Sequence, residues 1–383
     1  MRVKLETYAT GAVICAAINS IFEKEAALSG SSKIIFANQL RGIAAIMVVL
    51  SHLGCVFWGA KETVSFYTGA PPAEGSQPFI SNFINAQHWN FGALGVAIFF
   101  MISGFVIPMS LGTGGRLIFI VSRFIRIYPT YIIALCTGLF SVWLSCQYWG
   151  HPFMWELPTI MHNMLLIHTL TNAPSVDLVN WTLAIELKFY IVACLMGSLI
   201  VAGRVWPLLA FSALIFIINK LIKTPIGTEL MFVSFMMLGV LFNYLFRNLI
   251  TALEFFASAS IIFAFFLFGW DATIWPDAFF QVAPNYVYGF VIFSMAYVFR
   301  ANFRDLRILD FFADISYPLY IVHSLIGYSA MRILFDNGYQ LRVVAPVTAL
   351  LIIGVAYALH VLVEKPTMLL GKRIRRSRQL AYA

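Results

Sequence analysis

Long apolar runs separated by short polar connections dominate this chain from Phe36 onward. A helix crossing the bilayer core needs about 20 mostly apolar residues. Ten runs meet or approach that length: 36–58, 91–110, 127–148, 181–202, 205–219, 229–246, 251–269, 283–299, 313–334 and 342–363. The fifth is short. Pro318 falls inside the ninth and predicts a kink there, which packed neighbours accommodate. Two connections are long. Residues 59–90 hold Pro71, Pro72 and Gly75 and read as an irregular loop, while the 158–170 portion of residues 149–180 suits a short helix on or dipping into the membrane. The pattern predicts an all-α, polytopic membrane protein of about ten transmembrane helices. These occupy 36–366, between an N-terminal extension, 1–35, and a basic tail, 367–383.

Composition agrees with the pattern. Of 383 residues, 61% are hydrophobic and 11% charged, against roughly 45–50% and about 25% in soluble domains. Such an apolar excess does not fit inside one soluble core. The formal charge of +8 is read as loops facing anionic lipid and not as a nucleic-acid surface. Cys15, Cys55, Cys136, Cys146 and Cys194 show no paired spacing, so neither a disulfide framework nor a metal site is expected.

Charge also sets the expected orientation. One set of connections carries Arg116, Arg123, Arg126, Arg204, Arg247, Arg300, Arg304 and Arg307, and the tail on that side adds six more, fourteen in all. The opposite set holds five: Lys61, Lys220, Lys223, Arg332 and Arg342. The excess places both termini in the cytoplasm. The run from Tyr8 to Phe22 is too short to span and carries Asn19; it suits a signal peptide or an interfacial helix, and the charge count favours the helix.

Ionisable groups inside a membrane are expensive and usually face the bundle interior or a wet cavity. In LRGIAAIMVVLSH, 40–52, Arg41 and His52 are eleven residues apart, which returns to nearly the same helix face about 16 Å further along. Arg41 is either a snorkelling anchor or a phosphate ligand, and His52 either a packing histidine or a catalyst; their alignment favours one substrate spanning both. Arg123 and Arg126 in SRFIRIYPTY are one turn apart, suited to converging on phosphates or simply to positive-inside topology. In WTLAIELKFY, Glu186 follows Trp181 and precedes Tyr190 by one turn; the carboxylate either orients an imidazole or belongs to a structural ion pair, for instance with Lys188. ISYPLYIVHS places Tyr317, Tyr320 and His323 around Pro318, where packing is the simpler reading. Trp89, Trp149 and Trp155 in the long connections suit sugar stacking or an interfacial aromatic belt.

Taken in order, LRGIAAIMVVLSH, FFMISGFVI, SRFIRIYP, WTLAIELKFY, ISYPLYIVH and VEKP resemble the bacterial acyltransferase-3 family of membrane-bound O-acyltransferases, over roughly residues 33–370. The resemblance implies transfer of an acyl group, usually acetyl, from cytoplasmic acyl-CoA to a sugar hydroxyl of an exported or surface glycan, in a bacterial inner membrane. Acyl-CoA is then a co-substrate and no cofactor is bound permanently. It also implies that His52 is catalytic and that Arg41, Arg123 and Arg126 serve the donor. FANQL precedes the arginine where many relatives carry an acid, so no role for that acid carries over. Histidine suits deprotonation of a hydroxyl because its ordinary pKa, about 6.5, lies near working pH. Glu186 is expected to hold the tautomer or bind the acceptor, with Trp181, Tyr190, Tyr317 and His323 in support. An acyl-His52 intermediate is the variant mechanism, and a transporter or flippase of lipid-linked glycans the alternative activity.

Overall fold

The computed structural model describes residues 34–112, 115–371 and 373; the expected interfacial helix within 1–35 lies outside them. Each of the ten apolar runs is helical. In chain order these are α1 Ile35–Ser51, α2 Phe91–Leu111, α3 Gly115–Trp149, α4 Asn180–Leu195, α5 Trp206–Leu221, α6 Pro225–Phe246, α7 Ala252–Phe268, α8 Phe279–Val298, α9 Ser316–Asp336 and α10 Leu341–Leu359. Six are long and apolar enough to cross a membrane: α1 with its continuation to Gly59, α2, α3, α6, α9, and α10 with its continuation to Gly371. Two more, α5 and α7, are shorter apolar helices. The protein is an all-α, polytopic membrane protein.

Local chemistry sets several of the boundaries. Asn90 starts α2 by accepting a hydrogen bond from the Ala93 amide at 3.0 Å, and Thr224 starts α6 by accepting one from Gly227 at 2.9 Å. Thr251 and Glu254 close a reciprocal capping box on α7.

Three expectations are corrected. Pro318 is the third residue of α9, where its missing N–H would have no partner anyway, so it helps to begin the helix instead of kinking a span. A short amphipathic helix, Arg307–Asp314, precedes it. The third helix begins at Gly115, not near 127, because the arginines of its first three turns do not break it; their side chains lie against protein or a cavity. Residues 59–90 are more ordered than an irregular loop. They hold helices Lys61–Thr68 and Ser81–Ile84 and a minimal antiparallel pair, Asn85–Ala86 with Trp89–Asn90. The segment around 158–170 is helical in two pieces, Leu157–Met164 and His168–Thr171.

The bundle is held where α2 and α6 cross almost backbone to backbone. A Cβ on Gly104 would sit 2.0 Å from the Met236 carbonyl oxygen, and one on Gly239 would sit 2.3 Å from that of Met101. Small residues at such crossings let membrane helices approach closely. Asn243 reinforces the crossing by donating to the Phe105 carbonyl at 2.8 Å. Because the obstacle is backbone, Gly239→Val is expected to cost about 3 kcal/mol or more, the upper end for overpacking. Thermal unfolding in detergent should show that loss; a wild-type transition would mean the crossing is slack.

A second tie joins α4 to α6. Lys188 Nζ lies 2.9 Å from Glu229 Oε2, both side chains being largely buried, and Thr169 donates to Glu229 Oε1 at 3.0 Å. Burial, and Lys188 nearby, push the adjacent His168 imidazole down to about 4, so it sits there neutral. Lys188→Ala strands the Glu229 carboxylate and is expected to cost about 3–5 kcal/mol, whereas replacing both partners with Met costs much less. Comparing the unfolding midpoints of the single and double variants checks this.

Candidate active site

Polar residues of α1, α2, α3, α4 and α9 meet in the interior of the bundle. The helical period gathers Asn38 and Arg41 on α1, Phe99 and Ser103 on α2, Arg123 and Arg126 on α3, and Glu186 and Tyr190 on α4. Together with Tyr317 of α9 they line a cavity of about 420 Å³. That volume lies within the range of roughly 300–1,000 Å³ usual for ligand pockets. All three arginines open into it. Arg123 is buried, donates to Ser110 Oγ at 2.5 Å, and lies over the rings of Phe119 and Tyr190 at 5.4 and 5.5 Å. Arg41 and Arg126 make no hydrogen bond or ion pair among the described residues, which leaves their guanidinium forks available to an anion.

Acidic groups balance part of this charge. Glu186 Oε1 accepts from Ser103 Oγ at 3.0 Å and from the Tyr190 hydroxyl at 2.6 Å. On the far wall, His360 Nδ1 lies 2.8 Å from Glu364 Oε2. Tyr317 lines the cavity while donating to the Ile127 carbonyl at 3.0 Å, which ties α9 to α3.

His52 lies elsewhere. It faces a second cavity of about 200 Å³ toward the opposite ends of the same helices, with Asn90, Trp181 and Tyr286. There α1 widens into a π turn, His52–Val56, a local departure often found at functional positions. A second π turn, His360–Glu364, adjoins the arginine cavity. His52 Nδ1 is 2.6 Å from the Tyr328 hydroxyl. The ring of His323 packs edge-on against His52 at 4.7 Å. His323 is fully buried, and the Tyr320 and Leu319 carbonyls, 2.8 and 3.2 Å from its Nδ1, require the proton there. Its Nε2 has no hydrogen-bond partner among the described residues.

The sequence-derived candidates therefore divide between two compartments. Arg41, Arg123, Arg126, Glu186, Tyr190 and Tyr317 share the larger one, and His52 and Trp181 the smaller. Glu186 does not hold the His52 tautomer: it takes its hydrogen bonds from Ser103 and Tyr190, and the group on His52 Nδ1 is Tyr328. Nor does Glu186 pair with Lys188, whose partner is Glu229. Trp155 is 8% exposed and packed on Phe66 and Tyr67, and Trp149 lies under the Arg332 guanidinium at 5.3 Å. Trp89 is half-buried against Tyr288. Tyr328, Ser103, His360 and Glu364 were not singled out by the sequence. Ser103 and Glu364 lie within FFMISGFVI and VEKP, and Tyr328 lies eight residues after Tyr320, close to the same helical face.

Arginines cluster in one cavity of the polytopic bundle and an imidazole lines another. The chain belongs to the acyltransferase 3 family: the family model, an acyltransferase domain, matches residues 34–362. It is therefore a membrane-bound acyltransferase, and membership sets aside the transporter alternative. No match is found among curated proteins or solved structures.

Proposed function

We propose that this acyltransferase moves an acetyl group from acetyl-CoA, bound from the cytoplasm, to a sugar hydroxyl of an exported or surface glycan, in a bacterial inner membrane with both termini cytoplasmic. The observation that carries the reading is the pair of compartments: guanidinium groups in one, an imidazole in the other, and a shared wall between them. Arginine forks recognise phosphates bidentately, so Arg41 and Arg126 grip the phosphates of CoA while Arg123, steadied by Ser110 and two aromatic rings, fixes the positive end of the cavity. Glu186, Ser103 and Tyr190 order the donor side; Glu186 is not the base. The thioester end of the donor points to the wall.

The acceptor hydroxyl enters the smaller cavity beside Asn90 and Trp181. With Nδ1–H donating to the Tyr328 oxygen, His52 presents the Nε2 lone pair. That nitrogen takes the hydroxyl proton as the sugar oxygen bonds to the thioester carbonyl carbon. The tetrahedral intermediate then collapses, the carbon–sulfur bond breaks, and the proton passes from His52 to the departing CoA thiolate. Tyr328 is a positioning residue, setting the tautomer through Nδ1.

The experiment uses membranes of the producing cells, which carry the native acceptor, supplied with acetyl-CoA labelled in the acetyl group. Label should appear on glycan with stoichiometric release of CoA, and be missing from membranes of cells lacking the gene. Equal labelling with and without the gene would overturn the reading.

A further inference from the structure

Among the described residues, two line both compartments: Val96 on α2 and Tyr320 on α9. Each is nearly buried, Val96 6% and Tyr320 7% exposed. Tyr320 is not a loose flap. Its hydroxyl is 2.8 Å from Thr182 Oγ1, and Thr182 is itself tied to the Val179 carbonyl at 2.9 Å, so α9 and α4 grip it together. Phe99 braces the ring edge-on at 5.7 Å, and the His323 ring lies 5.8 Å away. Val96 is β-branched and held in a helix, which leaves it essentially one rotamer. The boundary shared by the two compartments therefore includes two stiff side chains, and the shortest route for an acyl carbon from the arginine side to His52 runs past them.

We propose that Val96 and Tyr320 form an acyl-length filter, which admits a two-carbon acyl group to His52 and rejects longer ones. The inference rests on the donor and base assignments above and adds to them the substrate class and the residues that select it. Beyond the wall there is little slack. The smaller cavity, about 200 Å³, falls below the usual range for a ligand pocket and must also admit the acceptor hydroxyl. Each methylene beyond acetyl has to lodge at the wall or displace the acceptor. Close-packed sites resist such insertion because rotamers and backbone must shift. A well-fitted apolar pocket discriminates about 10- to 200-fold per methylene.

The test again uses membranes of the producing cells, supplied in parallel with acetyl-, propionyl- and butyryl-CoA labelled in the acyl group; glycan-bound label is counted against membranes lacking the gene. Wild type should fix acetyl at least about 100-fold faster than butyryl. Val96→Ala removes two methyl groups from the wall and should raise the butyryl-to-acetyl ratio at least about tenfold. Val96→Ile, which adds one methylene and is mild enough to fold, should lower the propionyl-to-acetyl ratio by a similar factor. Wild type fixing butyryl as fast as acetyl would overturn the filter, as would unchanged ratios in whichever variants accumulate, and either result leaves the functional assignment standing. Failure of wild type to fix any of the three labels would instead overturn the functional assignment, and the filter with it.

Discussion

His52→Ala is expected to lose acyl transfer by about 100- to 10,000-fold, the usual worth of a general base, while the protein accumulates in the membrane normally. The expectation follows from the position of the ring. Its Nδ1 is committed to Tyr328, its neighbour His323 has its Nδ1 proton fixed by backbone carbonyls, and among the described residues the cavity it lines offers no second base. Truncation leaves a small void next to an existing cavity, so folding should tolerate it. Glycan label per unit of enzyme is the measurement, and transfer within a few-fold of wild type would remove His52 from the mechanism. Tyr328→Phe separates positioning from chemistry. It keeps the ring that packs on Phe57 but loses the hydroxyl. A drop in kcat of about fivefold with KM for acetyl-CoA unchanged is expected, since a single hydrogen bond is worth about 1 kcal/mol.

The parts of this site that were legible in the sequence were those that membranes make costly. Arg41, Arg123 and Arg126 stand out because a guanidinium in an apolar run needs a reason, and the structure brings all three to one cavity although they come from two helices. His52 stands out for the same reason. The period of α1 correctly suggested that Arg41 and His52 face the interior together, but it carries no information about what divides the space between them. Val96 is an ordinary valine in an apolar run, and Tyr320, though it stands in ISYPLYIVHS, reads most simply as packing; only the meeting of α2 and α9, Phe99 edge-on to Tyr320, brings them to one boundary. Glu186 shows the same gap. Its phase on α4 could be read, but its neighbours could not, and α2 supplies Ser103 where His52 had been expected. Tyr328 left no distinct mark, since a tyrosine in an apolar helix reads as packing until the imidazole is seen beside it. Charge misled in one place. The arginines ahead of residue 127 lowered the hydropathy and hid three turns of α3, because hydropathy averages over faces and the helix segregates them.

The larger cavity makes the second strong prediction. Removing both free guanidinium groups, R41A/R126A, is expected to raise KM for acetyl-CoA by about 100- to 10,000-fold with a smaller effect on kcat. A hydrogen bond to a charged partner contributes about 1.5–3 kcal/mol, and two are lost. The alternative role, interface anchoring, predicts something different: each arginine would be paired with surrounding protein or reach past the bundle, whereas both open into the cavity unpaired among the described residues. Because the two side chains would share one anionic ligand, their effects should couple, and the double variant should differ from the summed singles. Arg126→Lys keeps the charge but not the fork, so it should recover part of the loss. KM also responds to salt if phosphate recognition is electrostatic, since exposed portions of the charge are screened over about 8–10 Å at physiological ionic strength. The wild-type KM should therefore rise with added salt, and the double variant should lose most of that dependence. A double variant with wild-type KM and collapsed kcat would instead assign the arginines to the reacting carbonyl, and the donor would have to enter the bundle in the opposite sense.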